Sequence, residues 1–132
     1  MKITADTNVL LRDALQDDPR QARQAAAVLQ GADLVAVPVA ALCEFVWVLQ
    51  RTYKRPLPEI ADAIRRLLRS ANVVMDRPAV EAGLAVLEGD GDFADGAIAH
   101  EGHWLGAEEF VSFDKDAVRL LKWKGVRARL LT

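Results

Sequence analysis

Residues 1–13 read MKITADTNVLLRD, and their reading decides the fold. Met1 to Asp6 is a short β-prone run that Thr7 and Asn8 interrupt, after which Val9, Leu10, Arg12 and Asp13 begin a helix-like pattern. The stretch therefore reads strand, turn, helix. The alternation then repeats along the chain. Pro19 to Gly31 is predicted helical, with proline at its first turn and glycine at its close. Leu34 to Val37 is a buried-looking strand stopped by Pro38, and 39–53 is a strongly apolar helix. Beyond Pro56 and Pro58, residues 59–69 form an amphipathic helix with Arg65, Arg66 and Arg69 outward. Asn72 to Met75 is a third strand, Pro78 starts a helix to about Glu88, and Gly89-Asp90-Gly91 punctuates. DFADGAIA (92–99) opens the next helix, Phe110 to Phe113 is a fourth strand, 115–123 a helix, and Val126 to Leu131 a fifth strand after Gly125. Short strands alternating with helices imply crossover connections, a largely parallel sheet with helices on both faces, and a single three-layer α/β domain over residues 1–132.

Composition narrows the class. With 132 residues, 52% of them apolar, the chain buries a core without staples. Cys43 is the only cysteine, so neither an intrachain disulfide nor a cysteine-built zinc site is available, which favours a reducing cytoplasm. No charged-then-apolar leader opens the sequence and no apolar run approaches the roughly 20 residues that span a bilayer, so a soluble intracellular protein without membrane contact is expected. The net charge of −2 hides a segregation: residues 51–69 and 114–132 each carry six Lys/Arg against two acids, while 76–109 carry nine acids against one Arg. Basic flanks around an acidic centre suit a protein that holds a polyanion and offers carboxylates to a metal; solvated helix faces would produce the same counts.

The acids fall where chemistry is expected. Asp6 ends the first strand and Asp114 follows the fourth, and ligands of open parallel sheets bind beyond the carboxyl ends of strands. Either acid alone also reads as a turn or cap residue. Glu44 has Ala40, Ala41, Trp47 and Val48 as same-face neighbours, which predicts a carboxylate on an apolar stripe in need of a cation. Asp92 and Asp95 open their helix, where the dipole tolerates negative charge. Gly96 beside them reads as room for substrate or metal water to approach. Asp6, Glu44, Asp95 and Asp114 would repel one another unless a hard cation such as Mg²⁺ or Mn²⁺ neutralised them. Metals so held serve phosphodiester hydrolysis. His100 and His103 lack metalloprotease spacing, Gly102 breaks their segment, and they read as helix-end surface histidines.

Four segments in this order, ITADTNVLLR, ALCEFVWVL, GDFADGAIA and VSFDKD, resemble the PIN-domain ribonucleases, and most closely the VapC toxins of prokaryotic toxin–antitoxin pairs. The resemblance implies a five-stranded parallel sheet between helix layers and an Mg²⁺- or Mn²⁺-dependent endoribonuclease that cleaves RNA through a metal-activated water. Position by position, the family's metal-holding catalytic acids fall on Asp6, Glu44, Asp95 and Asp114. Asp92 matches an additional acid of the toxin branch, Asp116 is a second candidate for the last ligand, and Asn8 and Ser112 match polar positions that orient carboxylates or water. Implied partners are a tRNA or rRNA substrate, a cognate antitoxin, and a second copy in a homodimer or larger assembly. Arg12, Arg51, Lys54, Arg65, Lys115 and Arg119 are candidates for the RNA backbone. Trp47, Trp104 and Trp123 fit a partner groove, with core packing expected for at least two of them. The alternatives are a housekeeping PIN nuclease, an aspartyl-phosphate phosphatase using Asp6, or an inactive interaction module. The phosphatase wants an acid at position 8, which is Asn8, and leaves Glu44 unexplained.

Overall fold

A computed structural model describes residues 1–132, which divide into two compact units, Met1–Asp76 and Arg77–Thr132. The first unit runs β1 (Lys2–Thr4), α1 (Thr7–Leu15), α2 (Pro19–Gly31), β2 (Leu34–Ala36), α3 (Val39–Arg51), α4 (Leu57–Arg69) and β3 (Val73–Val74). Local chemistry sets these boundaries. Asp18 caps α2 by accepting from the Gln21 amide at 3.1 Å, with Pro19 just inside. Pro38 and Pro56, both in extended backbone, precede α3 and α4. The strands pair in parallel in the order β1-β2-β3, with Ile3 opposite Val35 and Val35 opposite Val73. Val35, Leu42, Ile60 and Ile64 are fully buried, and α1 packs on both α2 and α3.

The second unit runs α5 (Arg77–Glu88), α6 (Phe93–Trp104), β4 (Phe110–Ser112), α7 (Lys115–Trp123) and β5 (Ala128–Leu130). β4 and β5 pair in parallel, Phe110 opposite Ala128 and Ser112 opposite Leu130. Val86, Val118, Leu120, Leu121 and Ala128 form a core on which Ala99, Phe110 and Leu130 pack. Helices α5 and α6 approach so closely that a Cβ on Gly96 would stand 2.3 Å from the Ala82 carbonyl oxygen. Gly96 is thus a packing residue, not the substrate clearance that its position beside Asp95 had suggested.

The α/β class holds, but the five strands form a three-stranded and a two-stranded parallel sheet instead of one five-stranded sheet. The strands are two or three residues long, one to three residues shorter than the apolar runs that announce them. A ladder this short carries few hydrogen bonds, so counting strands does not establish that all share one sheet. The tryptophans also depart from expectation. Trp47, Trp104 and Trp123 are 54%, 76% and 82% exposed, so none is a core residue. Trp104 and Trp123 are the last residues of their helices, and Trp47 lies on the outer face of α3.

Candidate active site

In the first unit, Asp6 and Glu44 are mounted on neighbouring helices. Asp6 leaves β1 and caps α1, its Oδ1 accepting from the Thr7 amide at 2.8 Å. The Thr7 hydroxyl, on a side chain only 3% exposed, donates to the Ala41 carbonyl of α3 at 3.3 Å. Glu44 follows Ala41 by three residues and so shares its face. Glu44 is exposed, which corrects the expectation of a buried carboxylate. The buried stripe of α3 is Leu42, Phe45, Val46 and Leu49, and Ala40, Glu44, Trp47 and Arg51 line the opposite, solvent-facing side. An apolar-looking neighbourhood in sequence did not mean an apolar surround. Asn8 is exposed two residues beyond Asp6.

Toward the far end of α1, Arg12 Nη2 donates to the hydroxyl of Tyr53, two residues beyond α3, at 2.9 Å, and Nη1 donates to Asp17 at 3.1 Å. The Tyr53 hydrogen bond and the Asp17 charge together hold the Arg12 guanidinium above its ordinary pKa. Arg12, expected among the RNA contacts, thus also ties α1 to the residues that follow α3. Tyr53 carried no signal in the sequence because its partner lies 41 residues away.

In the second unit, Asp92 caps α6 through the Ala94 amide at 3.1 Å, and Asp95 occupies the first turn. Burial pushes the Asp95 carboxyl up to about 6, and the charges of Asp92 and Asp114 add to the shift. The helix dipole acts the other way at this position, so desolvation and like charge outweigh it. Asp114 follows β4 and caps α7, Oδ1 accepting from the Asp116 and Ala117 amides at 3.0 and 3.1 Å. Ser112 Oγ in turn accepts from the Asp114 amide at 3.0 Å, fixing the backbone that carries the carboxylate. Asp116 does not contribute to the Asp95 shift; it points to solvent and pairs with Arg119 at 3.6 Å.

Of the expected RNA contacts, Arg51, Lys54 and Lys115 are exposed, and Arg65 sits 4.0 Å from Asp62 on its own helix. His100 and His103 line a cavity of about 690 Å³ in the second unit, floored by Ala82, Ala85, Ala99 and Leu121, and none of the four candidate acids lines it. Neither unit by itself gathers three His, Cys, Asp or Glu side chains into a group able to hold a metal ion. The donors suit one in kind: all are carboxylate oxygens, and Asp6, Asp92 and Asp114 each cap through Oδ1 alone, which leaves Oδ2 without a protein hydrogen bond.

In the second unit Asp92, Asp95 and Asp114 act on one another electrostatically, and the raised Asp95 carboxyl is the most perturbed acid among them. The PIN domain family model matches residues 3–122, and the chain belongs to that family. PIN domains are in general nucleases, and those nucleases typically use divalent metals. No curated protein matches the chain. No helix is long and apolar enough to cross a membrane.

Proposed function

We propose that this chain is an Mg²⁺- or Mn²⁺-dependent endoribonuclease and the toxin of a type II toxin–antitoxin pair, with Asp6, Glu44, Asp95 and Asp114 as its catalytic, metal-holding acids. The observation that carries the reading is the state of Asp95: a carboxyl raised to about 6 by burial and by the charges of Asp92 and Asp114. Such a group is ionised at neutral pH only at a cost, and a hard divalent cation removes that cost. When bound, the ion polarises the scissile phosphoryl group and acidifies the attacking water.

The chain's own residues do the rest. Capping fixes the Asp6, Asp92 and Asp114 carboxylates against their helices, so each presents one oxygen in a set direction. Ser112 holds the Asp114 backbone, and Asn8 and Asp116 are auxiliary polar groups. Arg12, Arg51, Lys54, Arg65, Lys115 and Arg119 are the cations for the RNA phosphates, Arg12 being held in place by Tyr53 and Asp17. A tRNA or rRNA is the substrate, and an antitoxin and a second copy are the protein partners. Exposed Trp104 and Trp123 favour coverage by a partner. The protein works in the cytoplasm as a single PIN domain over residues 1–132, a reading supported by one family model running from the first unit into the second.

The test is cleavage of RNA by purified protein. Activity is expected with Mg²⁺ or Mn²⁺, none in excess chelator, and none for a folded Asp95→Asn variant. Unchanged cleavage by that variant, or full activity in chelator, overturns the assignment. Growth arrest on expression, dependent on Asp95, separates a toxin from a housekeeping nuclease.

A further inference from the structure

Thr7 is the one polar side chain buried in the protein, and the chemistry assigned above makes no use of it. A buried hydroxyl is retained where it has a partner, and that of Thr7 donates to Ala41 across to α3. Its amide holds Asp6 Oδ1 at the same time. One residue thus grips the Asp6 carboxylate with its backbone and the α3 turn that carries Glu44 with its side chain. The contact joins the first residue of α1 to the third of α3, so it lies at the acid-bearing end of the helix pair.

We propose that Thr7 is a positioning residue that sets the separation of Asp6 and Glu44 and thereby the divalent-metal affinity of the pair; this rests on the metal-dependent reading above. The Arg12–Tyr53 contact ties the end of α1 to the residues that follow α3, so removal of the Thr7 hydroxyl leaves the helix pair assembled but free to shift at the acid-bearing end. Valine matches threonine in shape and keeps the amide that caps with Asp6. Serine keeps the hydroxyl.

The experiment is calorimetric titration of the RNA-free full chain with Mn²⁺, alongside thermal melting. Thr7→Val is expected to remain folded and to bind Mn²⁺ about tenfold more weakly, the size of loss typical when the support of a metal ligand is removed. Thr7→Ser is expected to restore affinity to within about twofold, on the same reasoning that the supporting hydroxyl is kept. Ala22→Gly, at a buried position of α2, a helix that carries neither acid, lowers melting temperature without changing Mn²⁺ affinity. Wild-type affinity in Thr7→Val, failure of Thr7→Ser to restore it, or an equal loss in Ala22→Gly overturns the proposal. Absence of Mn²⁺ binding by the wild-type chain instead overturns the metal-dependent reading itself, and this proposal falls with it.

Discussion

The Arg12 guanidinium and the Tyr53 hydroxyl, 41 residues apart in sequence, meet at 2.9 Å and tie the end of α1 to the residues that follow α3. Asp17 completes the arrangement from the turn after α1. Tyr53→Phe is expected to lower stability by about 1 kcal/mol, the net worth of such a hydrogen bond. Arg12→Lys should cost a similar amount, since an ammonium cannot serve two partners in the fork geometry of a guanidinium. In urea denaturation the two changes should be non-additive, with a coupling of about 0.5–1.5 kcal/mol. Additive losses would show that the two residues are not coupled, and an Arg12 effect confined to RNA affinity would show that it serves as a phosphate contact and not as a strut.

Asp95 makes a pH-dependent contribution whose sign is set by its raised pKa. The folded state binds the Asp95 proton more tightly than the unfolded chain, whose carboxyl titrates near 3.8, so stability falls as pH rises from there through about 6. Above that window the deficit is constant. Asp95→Asn should therefore stabilise the metal-free protein at pH 7 by about 1–2 kcal/mol, less than the full linkage value of about 3 kcal/mol because the group is only partly buried. The gain should shrink toward pH 4. Urea melts in chelator at both pH values check this, and a destabilised Asp95→Asn at pH 7 would contradict it.

Asp114 serves two purposes that substitution separates. Asparagine caps a helix about as well as aspartate and removes a charge that repels Asp95, so Asp114→Asn should keep or slightly raise the melting temperature at neutral pH. Asp114→Ala should instead lose about 1 kcal/mol, because the Asp116 and Ala117 amides lose their acceptor. Both variants should fail to cleave RNA. Cleavage at wild-type rate by Asp114→Asn would remove Asp114 from the set of catalytic acids.

Gly96 and Gly102 lie on the same helix and should respond oppositely to alanine. At Gly96 the new Cβ would meet the Ala82 carbonyl oxygen at 2.3 Å and the Gly83 Cα at 2.9 Å, backbone that cannot step aside without parting α5 from α6. A loss of about 3 kcal/mol or more is expected. At Gly102 nothing lies within 4 Å, and the gain in helix propensity should stabilise by about 0.5–1 kcal/mol. Thermal melting of the two variants distinguishes them directly.

Much of this protein is legible from local chemistry. Strand, polar turn and helix can be read from MKITADTNVLLRD, and Pro19, Gly31 and Pro38 mark helix boundaries to within a residue. Helix α4 instead begins at Leu57, two residues before the expected 59, because Pro58 is tolerated in a first turn. Asp92 reads as a cap because capping depends on the next two or three residues alone. The order of the acidic motifs, and with it the PIN family, is likewise a property of the chain as written.

Tertiary structure decided what local pattern leaves open. Periodicity names the faces of α3 but not which one turns inward, so Glu44 could be placed on an apolar stripe and still stand in solvent. The division of the strands into sheets of three and two depends on which backbones come within hydrogen-bonding distance, and runs of two or three residues carry no record of it. Thr7 and Tyr53 each owe their importance to one partner 34 and 41 residues away. The elevated pKa of Asp95 arises from burial and from a carboxylate brought in on another helix, and neither is a property of DFADGAIA. Helix starts and strand runs are short-range and survive in one dimension. Desolvation, like-charge repulsion and the choice of buried face exist only once the chain has folded.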